Sequence, residues 1–94
     1  MPTLITPHFT VDEFACHDGT PYPPALVDSR LRPLCLALER IRDELWRRVG
    51  REVSLAIISG YRSPAWNKRV AGAAKSRHVE GDAADVRPNG CTVE

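Results

Sequence analysis

Leu31-Arg32-Pro33-Leu34-Cys35-Leu36-Ala37-Leu38-Glu39-Arg40-Ile41-Arg42-Asp43-Glu44-Leu45-Trp46-Arg47-Arg48-Val49-Gly50 carries the clearest period in the chain. Leu31, Leu34, Leu38, Ile41, Leu45 and Val49 recur at alternating steps of three and four, which aligns them on one stripe of a helix. Pro33 suits the first turn, where its missing N–H leaves nothing unpaired. Gly50 suits the residue after the last turn, and Arg47 and Arg48 complement the C-terminal dipole. Asp43 with Arg47, and Glu44 with Arg48, predict ion pairs on the wet face. The stretch reads as a scaffold helix of about four to five turns, without chemistry of its own.

Downstream, Val53-Ser54-Leu55-Ala56-Ile57-Ile58 is β-branched and apolar and ends at Ser59-Gly60, the pattern of a largely buried strand. Ser63-Pro64 then supplies an N-cap and a first-turn proline for a short helix reaching about Val70, which Gly72 ends. A polar loop from Lys75 to Gly81 leads into Ala83-Ala84-Asp85-Val86, a second short strand of small residues. Upstream, residues 1–29 are rich in turn formers, among them Pro2, Pro7, Gly19, Pro21, Pro23 and Pro24. One helical signal interrupts them: Thr10 caps Val11-Asp12-Glu13-Phe14, with Glu13 at the capping-box position and Phe9 and Phe14 placed for a hydrophobic staple. The arm is expected to be irregular but docked. Helix, strand, helix, strand predicts an α+β domain with a small sheet packed by helices.

Bulk properties narrow the function classes. Ninety-four residues allow one domain, and such a chain buries only about two-thirds of its unfolded surface, so a bound metal would help it. A net charge of +1 offers no bulk attraction for nucleic acid or an anionic membrane. No apolar run approaches the ~20 residues that span a bilayer. Met1 to Pro7 lacks the basic and apolar regions of a secretory signal, so action on a cell wall would require export by other means or release by lysis. Cys16, Cys35 and Cys91 form an odd set without a C-x-x-C pair, which argues against a disulfide framework or a cysteine zinc knuckle. Cys35 reads as a buried thiol on the apolar side of the helix. Ala15-Cys16-His17-Asp18 reads as a loop, because adjacent residues rarely converge on one ion.

Chemistry concentrates in Ser76-Arg77-His78-Val79-Glu80-Gly81-Asp82-Ala83-Ala84-Asp85. A lone histidine beside a turn is commonly a surface or hydrogen-bonded residue. An aspartate in a strand of alanines is harder to dismiss, because strands disfavour Asp and a carboxylate near a buried face needs a partner. A glycine turn followed by a returning strand can bring His78 and Asp85 to one ion, and zinc accepts an imidazole nitrogen and a carboxylate oxygen at about 2.0–2.2 Å. Arg62, between a strand and a helix, suits a substrate carboxylate or an oxyanion through paired hydrogen bonds. A salt bridge to Asp82 or Asp85 is its bland alternative. Glu80 and Asp82 read as solvent-facing loop charges, and Asn67 and Tyr61 as supports of the turn and core.

Ser59-Gly60-Tyr61-Arg62-Ser63-Pro64 with Asn67, then Gly72-Ala73, then Ser76 to Val86, resembles the M15 peptidase family. The nearest branch in appearance is the M15A-type D-Ala-D-Ala carboxypeptidases and phage-associated murein peptidases. Residues 59–87 carry the likeness most strongly, and Phe9 to Phe14 and the scaffold helix share it. The resemblance implies a hedgehog/D-Ala-D-Ala metallopeptidase-like fold and a Zn2+ cofactor, with His78 and Asp85 as the first two metal ligands. It implies that Arg62 binds substrate or stabilises the transition state and that Ser76 lies near the substrate, although a loop cap would equally explain that serine. The implied reaction is hydrolysis of a peptide bond at or near a D-alanine terminus in peptidoglycan.

The chain departs from the family at one point. The family's third ligand is a histidine in a later His-x-Asp or His-x-His strand, with the base close by, whereas this sequence has only His8, His17 and His78. Thr92-Val93-Glu94 also resembles the start of another helix. These features predict a partial domain, with 1–29 as the arm and 30–94 as the core, lacking the third ligand and the base. A non-catalytic cell-wall-binding or phage structural module derived from the same fold is the alternative reading.

Overall fold

A computed structural model of the chain describes residues 4–72 and 76–89. The scaffold helix forms as expected: α1 spans Arg32–Val49 with Pro33 in its first turn. It ends on Gly50 at φ +82°, whose N–H bonds the Trp46 carbonyl at 2.8 Å. Only glycine enters that left-handed conformation without steric cost.

The buried stripe is rotated from the one the spacing predicts. Leu31, Cys35, Leu38 and Arg42 are buried, whereas Ile41 is 45% exposed; Val49, in line with Leu31, is 40% exposed because it ends the helix. At about 100° per residue the four buried positions fall within an arc of roughly 60°, and Ile41 lies about 80° away from Leu31. Arg42 keeps its charge paired through Glu52, at 2.8 Å. On the wet face Glu44 takes both arginines, Arg47 at 3.1 Å and Arg48 at 2.8 Å, so Arg47 pairs one turn back with Glu44 instead of Asp43. Burial, with the charges of Glu13 and Glu39 adding to it, pushes the Cys35 thiol up to about 12, the inert core cysteine its position predicts.

The N-terminal arm is more regular than its turn formers indicate. β1 (Leu4–Thr6) and β2 (Phe9–Thr10) form an antiparallel hairpin, followed by a 3-10 turn over Val11–Phe14. Strands of two and three residues are too short to show an alternating pattern in sequence. The capping signal is realised, since Glu13 accepts the Thr10 N–H at 2.8 Å. So is the staple, with the Phe9 and Phe14 rings edge to face at 6.2 Å. A 3-10 turn (Pro24–Leu26) and a π-helical turn (Val27–Leu31) lead into α1. Ile5, Phe9, Phe14 and Tyr22 of the arm join Leu31, Cys35, Leu38 and Leu55 in one core.

β3 (Leu55–Ser59) and β4 (Asp85–Pro88) pair antiparallel, each starting two residues later than the apolar pattern implies. Between them come α2 (Pro64–Arg69) and a single helical turn, α3 (Arg77–Glu80), inside what reads as a polar loop. One turn is too short for a hydrophobic period; only Ser76 before it and Gly81 after it mark it. The described residues therefore form a small α+β fold with two two-stranded sheets. No described helix is long and apolar enough to cross a membrane. The helix-start signal at Thr92 to Glu94 and the third cysteine, Cys91, lie outside the described residues.

The Cys16-His17-Asp18 segment is a clip, with its three side chains turned to different tasks. Ser63 donates to Asp18 Oδ2 at 2.6 Å and its N–H meets Cys16 Sγ at 3.4 Å, while His17 lies edge-on to Trp66 at 6.2 Å. The Ser63 hydroxyl first, then Cys16 and Thr20, hold the Asp18 carboxyl far below the usual carboxylate range. The sign follows: a carboxyl depressed in the folded chain stabilises it above the unfolded pKa of about 4 and loses that contribution as pH falls below it. Wild type should exceed Asp18→Asn in urea midpoint at pH 7, and the gap should narrow steadily as pH falls below about 4. A pH-independent gap would show that the carboxylate charge plays no part.

Candidate functional site

Two loops meet beside the β3–β4 ladder. The first, Gly60 to Ser63, leaves β3 and enters α2, whose start is fixed by Ser63 accepting the Trp66 N–H at 3.2 Å. The second contains α3, which is opened by Ser76 and closed by Gly81 at φ +82°. A backbone bond from Arg62 N to the His78 carbonyl, at 3.0 Å, ties them together. The arm braces both: Phe14 O accepts the Tyr61 N–H at 2.8 Å, and the buried Tyr22 hydroxyl donates to Gly81 O at 2.5 Å. The Tyr22 and Tyr61 rings meet edge to face at 5.9 Å between the two braces.

His78 is held in one tautomer. Its Nδ1 lies 2.7 Å from the Gly60 carbonyl, an acceptor only, so Nδ1 carries a proton and, in the neutral ring, Nε2 holds the lone pair. A backbone carbonyl behind an imidazole is the usual way a ligating histidine is oriented. Nε2 faces Asp85 Oδ2 at 3.5 Å. Asp85 opens β4 opposite Ser59, where the register shifts, and such irregularities re-aim side chains. Its carboxylate is 60% exposed, whereas the imidazole is 13% exposed. Arg62 completes the group, with Nη2 3.8 Å from the same carboxylate oxygen.

The spacing can be tested against zinc. Two donors on a tetrahedral ion with bonds of about 2.0–2.2 Å sit roughly 3.3–3.6 Å apart. The 3.5 Å between Nε2 and Oδ2 falls within that range and is long for a direct hydrogen bond. His78 and Asp85 thus fit as two ligands of one ion. Among the described residues no group of three or more His, Cys, Asp or Glu side chains is placed to hold a metal. His8 is paired with Glu39 at 2.6 Å, and His17 lies edge-on to Trp66.

The remaining candidates sort by their contacts. Ser76 caps α3, accepting the His78 N–H at 3.2 Å, so it positions the histidine's own turn. Asp82 is not the solvent-facing charge its loop position predicts. It is bound by Arg77 at 2.8 Å and Arg30 at 3.1 Å with its side chain only 16% exposed, which commits it to structure. Glu80 lies 3.8 Å from Arg30 and is about half exposed. Arg62 has the Asp85 pairing foreseen as its bland alternative, at 3.8 Å from the carboxylate oxygen that faces His78. Sequence reasoning missed Gly60 and Tyr22, which act through a carbonyl acceptor and a hydroxyl donor. The one available signal for Gly60 is a glycine between strand and helix.

A small α+β domain that sets an imidazole, a carboxylate and a guanidinium at the join of two braced loops defines the class of fold and site. The family model described as Peptidase M15 matches residues 7–94, and the chain belongs to that peptidase family. Its class is accordingly that of a hydrolase. No curated protein and no solved structure matches the chain.

Proposed function

We propose that the chain acts in zinc-dependent hydrolysis of peptidoglycan peptides at D-Ala-D-Ala-like bonds, as a carboxypeptidase or endopeptidase. The observation that supports it most is the His78–Asp85 pair, with Nδ1 anchored on Gly60 and Nε2 3.5 Å from the carboxylate oxygen. His78 and Asp85 would hold the zinc, which when bound supplies Lewis acidity to a peptide carbonyl and to water. Arg62, 20% exposed and beside Asp85, presents a fixed fork to the oxyanion that develops at the scissile carbonyl, or to the terminal carboxylate. Ser76 holds the backbone that carries His78, and in this reading it would lie near the bound peptide. Neither a third ligand nor a general base is assigned among the described residues.

The test is release of D-alanine from a D-Ala-D-Ala-ended peptide in the presence of zinc, by this chain and by one extended past Glu94. Arg62→Lys should lower kcat/KM by about 10²-fold, because an ammonium cannot reproduce paired donation in a fixed plane. Full activity in Arg62→Lys would remove the guanidinium from the mechanism. A second reading, a non-catalytic cell-wall-binding or phage structural module, is favoured by the two-donor count alone. Retention on purified peptidoglycan that survives both chelator and His78→Ala, with no turnover, would select it.

A further inference from the structure

We infer that Asn67 is a positioning residue for Arg62, and that Gly72 is bare because that contact requires it. The inference rests on the role proposed above for the Arg62 guanidinium. Asn67 is 5% exposed on α2, and its side-chain oxygen Oδ1 accepts from Arg62 Nη1 at 3.4 Å. The guanidinium is thus gripped from two sides, by the neutral amide at Nη1 and by the Asp85 carboxylate 3.8 Å from Nη2. A neutral acceptor orients the fork without neutralising it, leaving its charge available to an anionic group.

Gly72 closes the other side. Its N–H bonds the Asn67 carbonyl at 2.8 Å, folding the chain back over α2. A Cβ there would overlap Asn67 Oδ1 and come within 3.1 Å of Arg62 Nη1. The φ of Gly72 is not in the left-handed region, so space around the amide and guanidinium, not backbone freedom, is what demands glycine. Asn67, Gly72, Pro64, Lys68 and Val79 also line a cavity of about 340 Å³. The amide therefore stands in the wall between that cavity and Arg62.

The experiment pairs a direct reading of the side chain with a kinetic one. Backbone-independent order of Arg62 is read from ¹⁵Nε relaxation in the wild type, Asn67→Ala, Asn67→Asp and Gly72→Ala, each first checked for folding by its amide spectrum. Loss of Arg62 order in Asn67→Ala and Gly72→Ala, with order kept in Asn67→Asp, which retains the acceptor, is the expected result. Unchanged order in Asn67→Ala overturns the proposal. On the D-Ala-D-Ala peptide, Asn67→Ala should lower kcat/KM about 10- to 100-fold in the wild type, the scale of a misplaced catalytic group, and change nothing in an Arg62→Ala background. Equal losses in both backgrounds mean a merely structural asparagine and overturn it. If Arg62→Ala retains full activity, or the wild type hydrolyses nothing, the functional reading fails and the positioning role with it, while the relaxation data still score the contact.

Discussion

His78→Ala should abolish zinc retention and, with it, the peptide hydrolysis proposed above. The substitution removes Nε2, the better-buried of the two described donors, and leaves Asp85 exposed beside Arg62, where the carboxylate pairs with the guanidinium instead of an ion. Disturbing a group that merely orients a ligand costs about 10–100-fold in metal affinity or activity, and losing the ligand itself costs more. The measurement is zinc stoichiometry after dialysis, alongside D-alanine release, for wild type and variant. His78→Gln separates charge and size from ligation, because it fills the space and can still meet the Gly60 carbonyl. Zinc retained at wild-type level in His78→Ala would mean that the ion, if bound, sits elsewhere.

Phe14→Ala is expected to cost about 3–5 kcal/mol, the range for truncating a buried aromatic ring. For a domain of this size, 3 kcal/mol lowers the melting temperature by at least about 12 °C. Phe14 is fully buried, packs edge-on to Phe9, and belongs to the core shared by the arm and α1. Its backbone carries the brace to Tyr61, so the site loosens as the core does. Gly60→Ala approaches the same joint from the other side. A Cβ at Gly60 would lie 2.7 Å from Phe14 Cα and 2.9 Å from Phe14 O, so backbone must move to admit a methyl group. That overpacking costs about 1–3 kcal/mol and shifts the carbonyl that fixes His78. Thermal melts of both variants decide it: a change under about 1 kcal/mol in each would show that the arm is not what holds the first loop.

The two expectations differ in how far they were legible beforehand. Helix α1, its proline start and its glycine stop could be read from residues 31–50, because a long periodic stretch overdetermines its own conformation. The α+β class and the His78, Asp85 and Arg62 candidates were legible for a related reason: charged residues beside a glycine turn and within a strand of alanines stand out against local propensity. The one-turn helix α3 and the two-residue strand β2 were not, since neither is long enough to complete a period. The buried charge of Arg42 within the helix stripe was also invisible, because Glu52, which pairs with it, lies ten residues away and beyond the helix.

The sequence by itself determined which side chains are present for chemistry and which local elements carry them, since propensity, capping and hydrophobic period are properties of neighbouring residues. Only the tertiary structure decided how those side chains are aimed. The His78 tautomer depends on a carbonyl 18 residues away, the first loop on Phe14, and the second on the Tyr22 hydroxyl 59 residues from its acceptor. These are contacts between segments that no local pattern links, and they exist only once the arm and α1 have closed a common core.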